Sequence, residues 1–228
     1  MTAPVRAVIF DFDGLIVDTE MPDYLAWQAV YAQYGWTFPL ESWLRNVGRN
    51  DSPFDPLGPF RGPDSPMDPD AVLAVWRRHH TRLERDYLKP LPGVLPLLER
   101  LKERRIRTAV ASSTRRRRIR HLLSALRLQE RFGALACGDE VLRAKPAPDV
   151  YLLAAGRLRV PAASCVALED SAPGVCAAKS AGMACIAVPS QITRTMDLSA
   201  ADLVVSSLLD VSLETISRVA ERNPSGAT

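Results

Sequence analysis

Cysteine is scarce and unpatterned. Only Cys137, Cys165, Cys176 and Cys185 occur in 228 residues. None forms a C-x-x-C pair, and no histidine stands at a zinc-like spacing from them, so neither a structural zinc site nor a disulfide framework is indicated. They read as buried, reduced thiols that behave as small hydrophobes, which suits a cytoplasmic protein. No run approaches the ~18 apolar residues of a membrane span. The first apolar run is too short for a secretory signal and leads straight into charge. Nor is there a charge excess: 29 basic residues face 26 acidic ones, net +3. That balance gives no general case for nucleic acid or membrane binding. No internal repeat is visible. The composition that remains, 47% hydrophobic and 24% charged, is that of an ordinary globular chain, long enough to bury a core without staples.

The apolar runs are short and widely spaced. Residues 5–10 read as a buried strand ending at Asp11. Similar runs follow at 106–111, 134–137, 165–168 and 184–188, and 203–205 offers a sixth. Between them, Val94, Leu97, Leu98 and Leu101 fall at helical spacing, as do Ile119, Leu122, Leu123 and Leu126. Strands alternating with helices predict an α/β fold, a doubly wound parallel sheet covered on both faces. Residues 19–89 break the rhythm. Helices are predicted at 21–34, 39–47 and 70–87, the last with Pro69 at its start. The stretch 53–66 is too rich in proline and glycine for regular structure. The tail 223–228 is expected to fray. The expected organisation is an α/β core of 1–18 and 90–228 with a smaller helical domain, 19–89, inserted after the first strand.

Four polar segments stand at strand ends. Asp11 and Asp13 flank Phe12 ahead of Gly14. Alternate side chains of an extended chain point the same way, so both carboxylates can face the crevice at the carboxyl edge of the sheet, where open α/β sheets bind ligands. Ser112, Ser113 and Thr114 end the second run before a helix. Hydroxyls and free N–H groups there suit an anion; taken alone, plain helix capping by Ser113 or Thr114 is the better reading. Lys145 sits in a loop held by Pro146 and Pro148. Glu169 and Asp170 end a fourth run, where adjacent like charges call for a cation. Magnesium takes oxygen ligands of this kind, and Asp11 and Asp170 are natural donors from neighbouring strands.

Taken together, these four ordered segments resemble the motifs of the haloacid dehalogenase-like superfamily, in its phosphatase and beta-phosphoglucomutase-like branch with a helical cap. The resemblance covers nearly the whole chain and is weakest over 39–69. It implies that Asp11 is the nucleophile and forms an aspartyl-phosphate. It makes Asp13 the general acid and then base, with its backbone carbonyl on the metal. Ser112 then holds a phosphate oxygen and Lys145 offsets charge. Asp170 binds Mg2+, supported by Glu169 directly or through water. Gly14, Ser113 and Arg49 are implied as substrate-binding residues, Arg49 through a second phosphate or another anion. Residues 19–89 become a lid that selects substrate, entered and left by hinge strands at 18–20 and 89–92. Asp23 stands where mutases of this branch carry a histidine, which speaks against mutase activity.

The expected activity is magnesium-dependent hydrolysis of a small phosphorylated metabolite, of the sugar phosphate or nucleotide class. A phosphosugar mutase and a non-enzymatic phospho-ligand binding protein are the alternatives. No nucleic acid or membrane partner is expected, and the chain is expected to be a monomer or weak homodimer. The basic run at Arg115 to Arg118, with Arg120, reads as a solvated helix face. His79 and His80 read as surface residues. Trp27, Trp36, Trp43 and Trp76 read mainly as core of the insert.

Overall fold

The computed structural model describes residues 5–49, 51–62, 65 and 67–223. Among these, six strands form one sheet: β1 (Ala7–Phe10), β2 (Arg107–Ser112), β3 (Ala134–Cys137), β4 (Cys165–Glu169), β5 (Ala184–Ala187) and β6 (Leu203–Val204). Their order is β3-β2-β1-β4-β5-β6 and every pairing is parallel. The order reverses between β1 and β4, which makes their carboxyl ends the switch point of the sheet. The predicted runs all form strands, 134–137 unchanged and the others shifted by one or two residues at an end.

Alternation along the central strands assigns the two faces. Val8, Phe10, Val110, Leu168 and Ile186 point to one side. There they meet α4 (Val94–Glu103), α5 (Arg116–Ala125) and α8 (Leu213–Glu221). Ala7, Ile9, Ala109, Ala111, Ala167 and Ala187 point to the other, under α6 (Asp149–Leu158) and α7 (Ala172–Ser180). Small residues on that face let the two helices lie close to the sheet. Phe10 is fully buried and meets the Phe132 ring edge-on at 5.7 Å. Burying such a side chain is worth roughly 1.5–3 kcal/mol.

The helical insert contains α1 (Glu20–Ala32), α2 (Leu40–Leu44) and α3 (Pro69–Tyr87). Asp68 caps α3 by accepting from the N–H groups of Asp70 and Ala71, ahead of Pro69 in the first turn. These helices close round a cluster of their own, with Trp27, Tyr31, Phe38, Trp43, Phe60 and Val72 inside it. Ile192, from the loop after β5, joins that cluster. The helices of 19–89 are therefore tied to the sheet through a side chain as well as through the chain at either end.

Several expectations need correction. Cys176 is exposed on α7, because its position on that helix faces away from the sheet; the other three cysteines are buried as expected. Asn223 is buried rather than frayed, its side-chain amide donating to the Gly182 carbonyl at 3.0 Å. Residues 224–228 lie outside the described residues. Within 53–66, Gly58–Phe60 forms a single tight helical turn that drives Phe60 into the insert's core. Residues 63, 64 and 66 lie outside the description. Neither 18–20 nor 89–92 is a strand: Glu20 already begins α1, and the return is fixed by Leu91 N–H to the Ile16 carbonyl at 2.9 Å. His79 and His80 are half-buried, and His80 stacks on Trp76 with centroids 4.9 Å apart. Trp27 and Trp43 are buried, Trp76 half-buried and Trp36 exposed.

Candidate active site

Asp11 directly follows β1, and its N–H bonds the Leu168 carbonyl of β4 at 2.9 Å. This pairing sets the carboxylate of Asp11 beside those of Glu169 and Asp170 at the switch point. One oxygen from each of the three lies within 4.8 Å of the others, and all three residues are buried. Lys145 reaches in from the loop before α6. Its ammonium donates to Asp11 Oδ1 at 2.5 Å, Glu169 Oε1 at 2.6 Å and the Ala111 carbonyl at 3.1 Å. A lysine is almost never fully buried unless paired, and Lys145 is 2% exposed.

Three buried carboxylates face one ammonium, which leaves two negative charges unmatched. Burial pushes the Asp11 carboxyl well above its usual range; Lys145 pulls it down, and Glu169, Asp13 and Asp170 push it further up. Asp170 is raised too, by burial, Glu169 and Glu20. Burial alone would lower Lys145, but Asp11 and Glu169 outweigh it and hold the ammonium raised. Burial and the crowding of carboxylates together raise the acids, and the same carboxylates raise the base, so buried negative charge exceeds the positive charge beside it. A divalent cation with hard oxygen ligands fits that donor set.

Glu169 is the most heavily bonded of the three. Its Oε1 accepts from Lys145 and from the Tyr151 hydroxyl, both at 2.6 Å. Its Oε2 accepts from the N–H groups of Asp170 and Ser171 and from the Ser171 hydroxyl. With both oxygens committed, Glu169 holds Lys145 in place and leaves Asp11 and Asp170 the freer donors. Two glycines make room for these carboxylates. Gly14, at φ +79°, lies where a Cβ would collide with the Asp170 carboxylate, and a Cβ on Gly174 would collide with that of Glu169. Gly174→Ala is therefore expected to cost about 1–3 kcal/mol by overpacking. Activity should fall with it, because Glu169 positions Lys145. Urea unfolding alongside a phosphate-release assay checks both effects.

Asp13 sits apart from that cluster and is held by hydroxyls. Thr19 donates to its Oδ1 at 2.7 Å, while Ser112 and Thr114 donate to Oδ2 at 2.8 and 2.9 Å. The Ser112 hydroxyl also accepts from the Thr114 N–H. Capping does not explain these hydroxyls. The α5 helix begins at Arg116 without a side-chain cap, and Asp139 accepts its first N–H instead. Ser113 faces the insert and donates to the Gly48 carbonyl at 3.0 Å. Arg49 is next in the chain, forked onto Asp51, and lines a groove with Ser113, Thr114, Arg115 and Arg118. Arg116 and Arg118 of the basic run are ion-paired, to Glu140 at 3.1 Å and to Glu84 of α3 at 2.8 Å.

The structure thus gathers Asp11, Asp13, Ser112, Lys145, Glu169 and Asp170 at one edge of the sheet. It gives Thr114 a partner in Asp13 and adds three residues that sequence reasoning missed: Thr19, Tyr151 and Thr193, whose hydroxyl donates to Asp170 at 3.2 Å. Thr114 stood beside Ser112 in the hydroxyl run. For the other three, nothing in the local sequence signals a link across such distances in the chain.

Residues 8–188 match the family model described as "Haloacid dehalogenase-like hydrolase". The chain belongs to this family. Among relatives of this haloacid dehalogenase-like hydrolase is "Protein CbbY" of Rhodobacter capsulatus, 35% identical over 209 residues, 87% of this chain and 91% of that protein. The "Phosphorylated carbohydrates phosphatase" of Thermotoga maritima is 35% identical over 182 residues, 78% and 82% of the two chains. A crystal structure of a CbbY mutant from Rhodobacter sphaeroides in complex with xylulose-(1,5)bisphosphate superposes with a TM-score of 0.73. It is 29% identical and covers 93% of this chain and 99% of that one.

Proposed function

We propose that this haloacid dehalogenase-like hydrolase is a magnesium-dependent phosphatase, acting on small phosphate monoesters through an aspartyl-phosphate at Asp11. The observation that carries the reading is the Asp11 carboxylate, buried at the switch point, 2.5 Å from the Lys145 ammonium and grouped with Asp170. Asp11 attacks phosphorus and the ester oxygen departs with a proton from Asp13. Asp13 then takes a proton from water, whose oxygen attacks phosphorus and releases phosphate and free Asp11. Lys145 stays protonated throughout and offsets charge on the phosphoryl oxygens. Ser112 is the hydroxyl assigned to one of those oxygens; swinging from Asp13 to the phosphoryl group removes one of the two hydroxyl donors on Oδ2. Asp11, Asp170 and the Asp13 carbonyl would hold Mg2+, which supplies charge neutralisation for the transferring phosphoryl group.

The insert 19–89 serves as the lid over the core of 1–18 and 90–228. Its separate hydrophobic cluster supports this division. So do the polar contacts it makes beside the site, among them Thr19 to Asp13, Ser113 to Gly48 and Arg118 to Glu84. Arg49, Arg115 and Arg118 line one groove there, which suits a second anionic group on the substrate.

A panel of phosphorylated metabolites assayed for released phosphate, with Mg2+ and with excess chelator, tests the reading. Turnover is expected only with the metal. A metal-independent rate removes the assigned role of Asp170, and isomerisation without phosphate release makes the protein a mutase.

A further inference from the structure

The loop after β5 reaches two places with two consecutive residues. Ile192, 4% exposed, sits in the hydrophobic cluster of the helical insert. Thr193, next in the chain and fully buried, donates its hydroxyl to Asp170 Oδ2 at 3.2 Å. Sheet register brings the loop there. β4 and β5 pair to their last residues, Glu169 opposite Ala187. The Val188 N–H still bonds the Glu169 carbonyl at 2.6 Å, so the chain leaving β5 starts level with Asp170.

The segment that carries both residues is braced. The Ser190 N–H donates to Thr193 Oγ1 at 2.9 Å, and the Thr193 N–H donates to Ser190 Oγ at 3.3 Å. The two hydroxyls lie 3.0 Å apart. A threonine hydroxyl has one proton and two lone pairs. With that proton given to Asp170, Thr193 takes the Ser190 hydroxyl as a donor. The Arg194 N–H closes onto the Ser190 carbonyl at 3.1 Å, and the Met196 N–H onto the Thr193 carbonyl at 2.8 Å. Met196 packs against the insert's cluster and against the cluster under α6 and α7. Residues 190–196 are thus one hydrogen-bonded turn, in which a shift of Ile192 is passed to Thr193.

A hydroxyl bonded to a metal-ligating carboxylate fixes how that carboxylate points, and loss of such a partner typically costs about 10–100-fold in metal affinity. Ile192 has no polar atom to offer Asp170. Any influence it has there runs through the turn.

We propose that the turn 190–196 couples the metal site to the helical insert: Thr193 is a positioning residue for Asp170, and Ile192 makes its placement depend on where the insert lies. This rests on the assignment of Mg2+ to Asp170 and deepens it. Coupling of this kind is reciprocal, so Mg2+ bound at Asp170 also biases the insert.

The chain carries its own reporter. All four tryptophans, Trp27, Trp36, Trp43 and Trp76, lie in 19–89, away from the Asp11, Glu169 and Asp170 cluster. Mg2+ alone is titrated into the whole protein without substrate. Calorimetry reads binding and tryptophan emission reads the insert. Both should saturate with one Kd. Thr193→Val keeps the shape and removes the hydroxyl. Its Kd for Mg2+ should rise about tenfold or more, and its emission change at saturating Mg2+ should vanish. Thr193→Ser, which keeps the hydroxyl, should restore both. Ile192→Ala should weaken Mg2+ binding about fivefold or more, with a smaller loss in Ile192→Val, and should add nothing in a Thr193→Val background. Thr19, bonded to Asp13, offers Mg2+ another route to the insert, and Thr193→Val leaves that route intact. A full emission change in saturated Thr193→Val protein therefore overturns the proposal. So do binding heat without an emission change in the unsubstituted protein, and additive losses in the double variant. Each of these leaves the magnesium assignment standing. Absence of both heat and emission change in the unsubstituted protein sinks that assignment and the coupling with it.

Discussion

Asp11→Asn protein is expected to fold normally and to lose phosphate release by about 10⁴-fold or more, the scale on which removal of a nucleophile acts. The amide keeps an oxygen where Oδ1 accepts from Lys145 at 2.5 Å, so the ammonium retains its anchor. It also removes one of three crowded carboxylates, and Glu169, Asp13 and Asp170 all push against Asp11. Stability without added metal should therefore hold or rise slightly. Thermal unfolding and a phosphate-release assay with Mg2+ present read the two effects separately. Normal turnover in this variant removes Asp11 from the chemistry. Lost turnover with collapsed stability would mean that the residue acts through the fold instead.

Lys145→Met should damage both properties. Removing one partner of a buried ion pair costs about 3–5 kcal/mol, because the other charge stays buried and unmatched. Here two carboxylates lose the same ammonium, Asp11 and Glu169. The cost has a pH dependence whose sign follows from the shifts. Burial already raises Asp11 and Asp170 in the folded protein, and loss of Lys145 raises Asp11 further. A carboxyl raised on folding destabilises the fold above its unfolded value, near 4, and ceases to do so below it. The deficit of Lys145→Met should accordingly be larger at neutral pH and shrink on acidification toward pH 4. Added Mg2+ should narrow it at neutral pH. Urea unfolding of both proteins across that range is the measurement. A deficit that grows on acidification would show that the carboxylates are not the source.

Most of the sheet was legible because its strands are buried on both faces. Such strands must be short and apolar throughout, and 134–137 is bounded in the structure as the sequence bounds it. The start of α3 was equally plain, since Pro69 acts within a residue of it. The site was legible as far as each member closes its own strand or its own proline-held loop. Local patterns failed where partners come from afar. Thr114 looked like a cap until the tertiary structure showed it donating, as Ser112 does, to Asp13, about a hundred positions earlier in the chain. Asn223 looked like tail because nothing nearby reports the Gly182 carbonyl that it meets.

Strand periodicity, the four polar strand ends and the helical interruption at 19–89 are properties of neighbouring residues. The sequence by itself thus determined a parallel α/β sheet with carboxylates, hydroxyls and a lysine along one edge. Only the tertiary structure decided how charge is shared there: Lys145 between Asp11 and Glu169, Glu169 saturated, Asp170 bonded by a neutral hydroxyl and not by the ammonium. The physical reason is that burial and hydrogen-bond supply depend on what the whole chain brings to a point, and no window of sequence contains that.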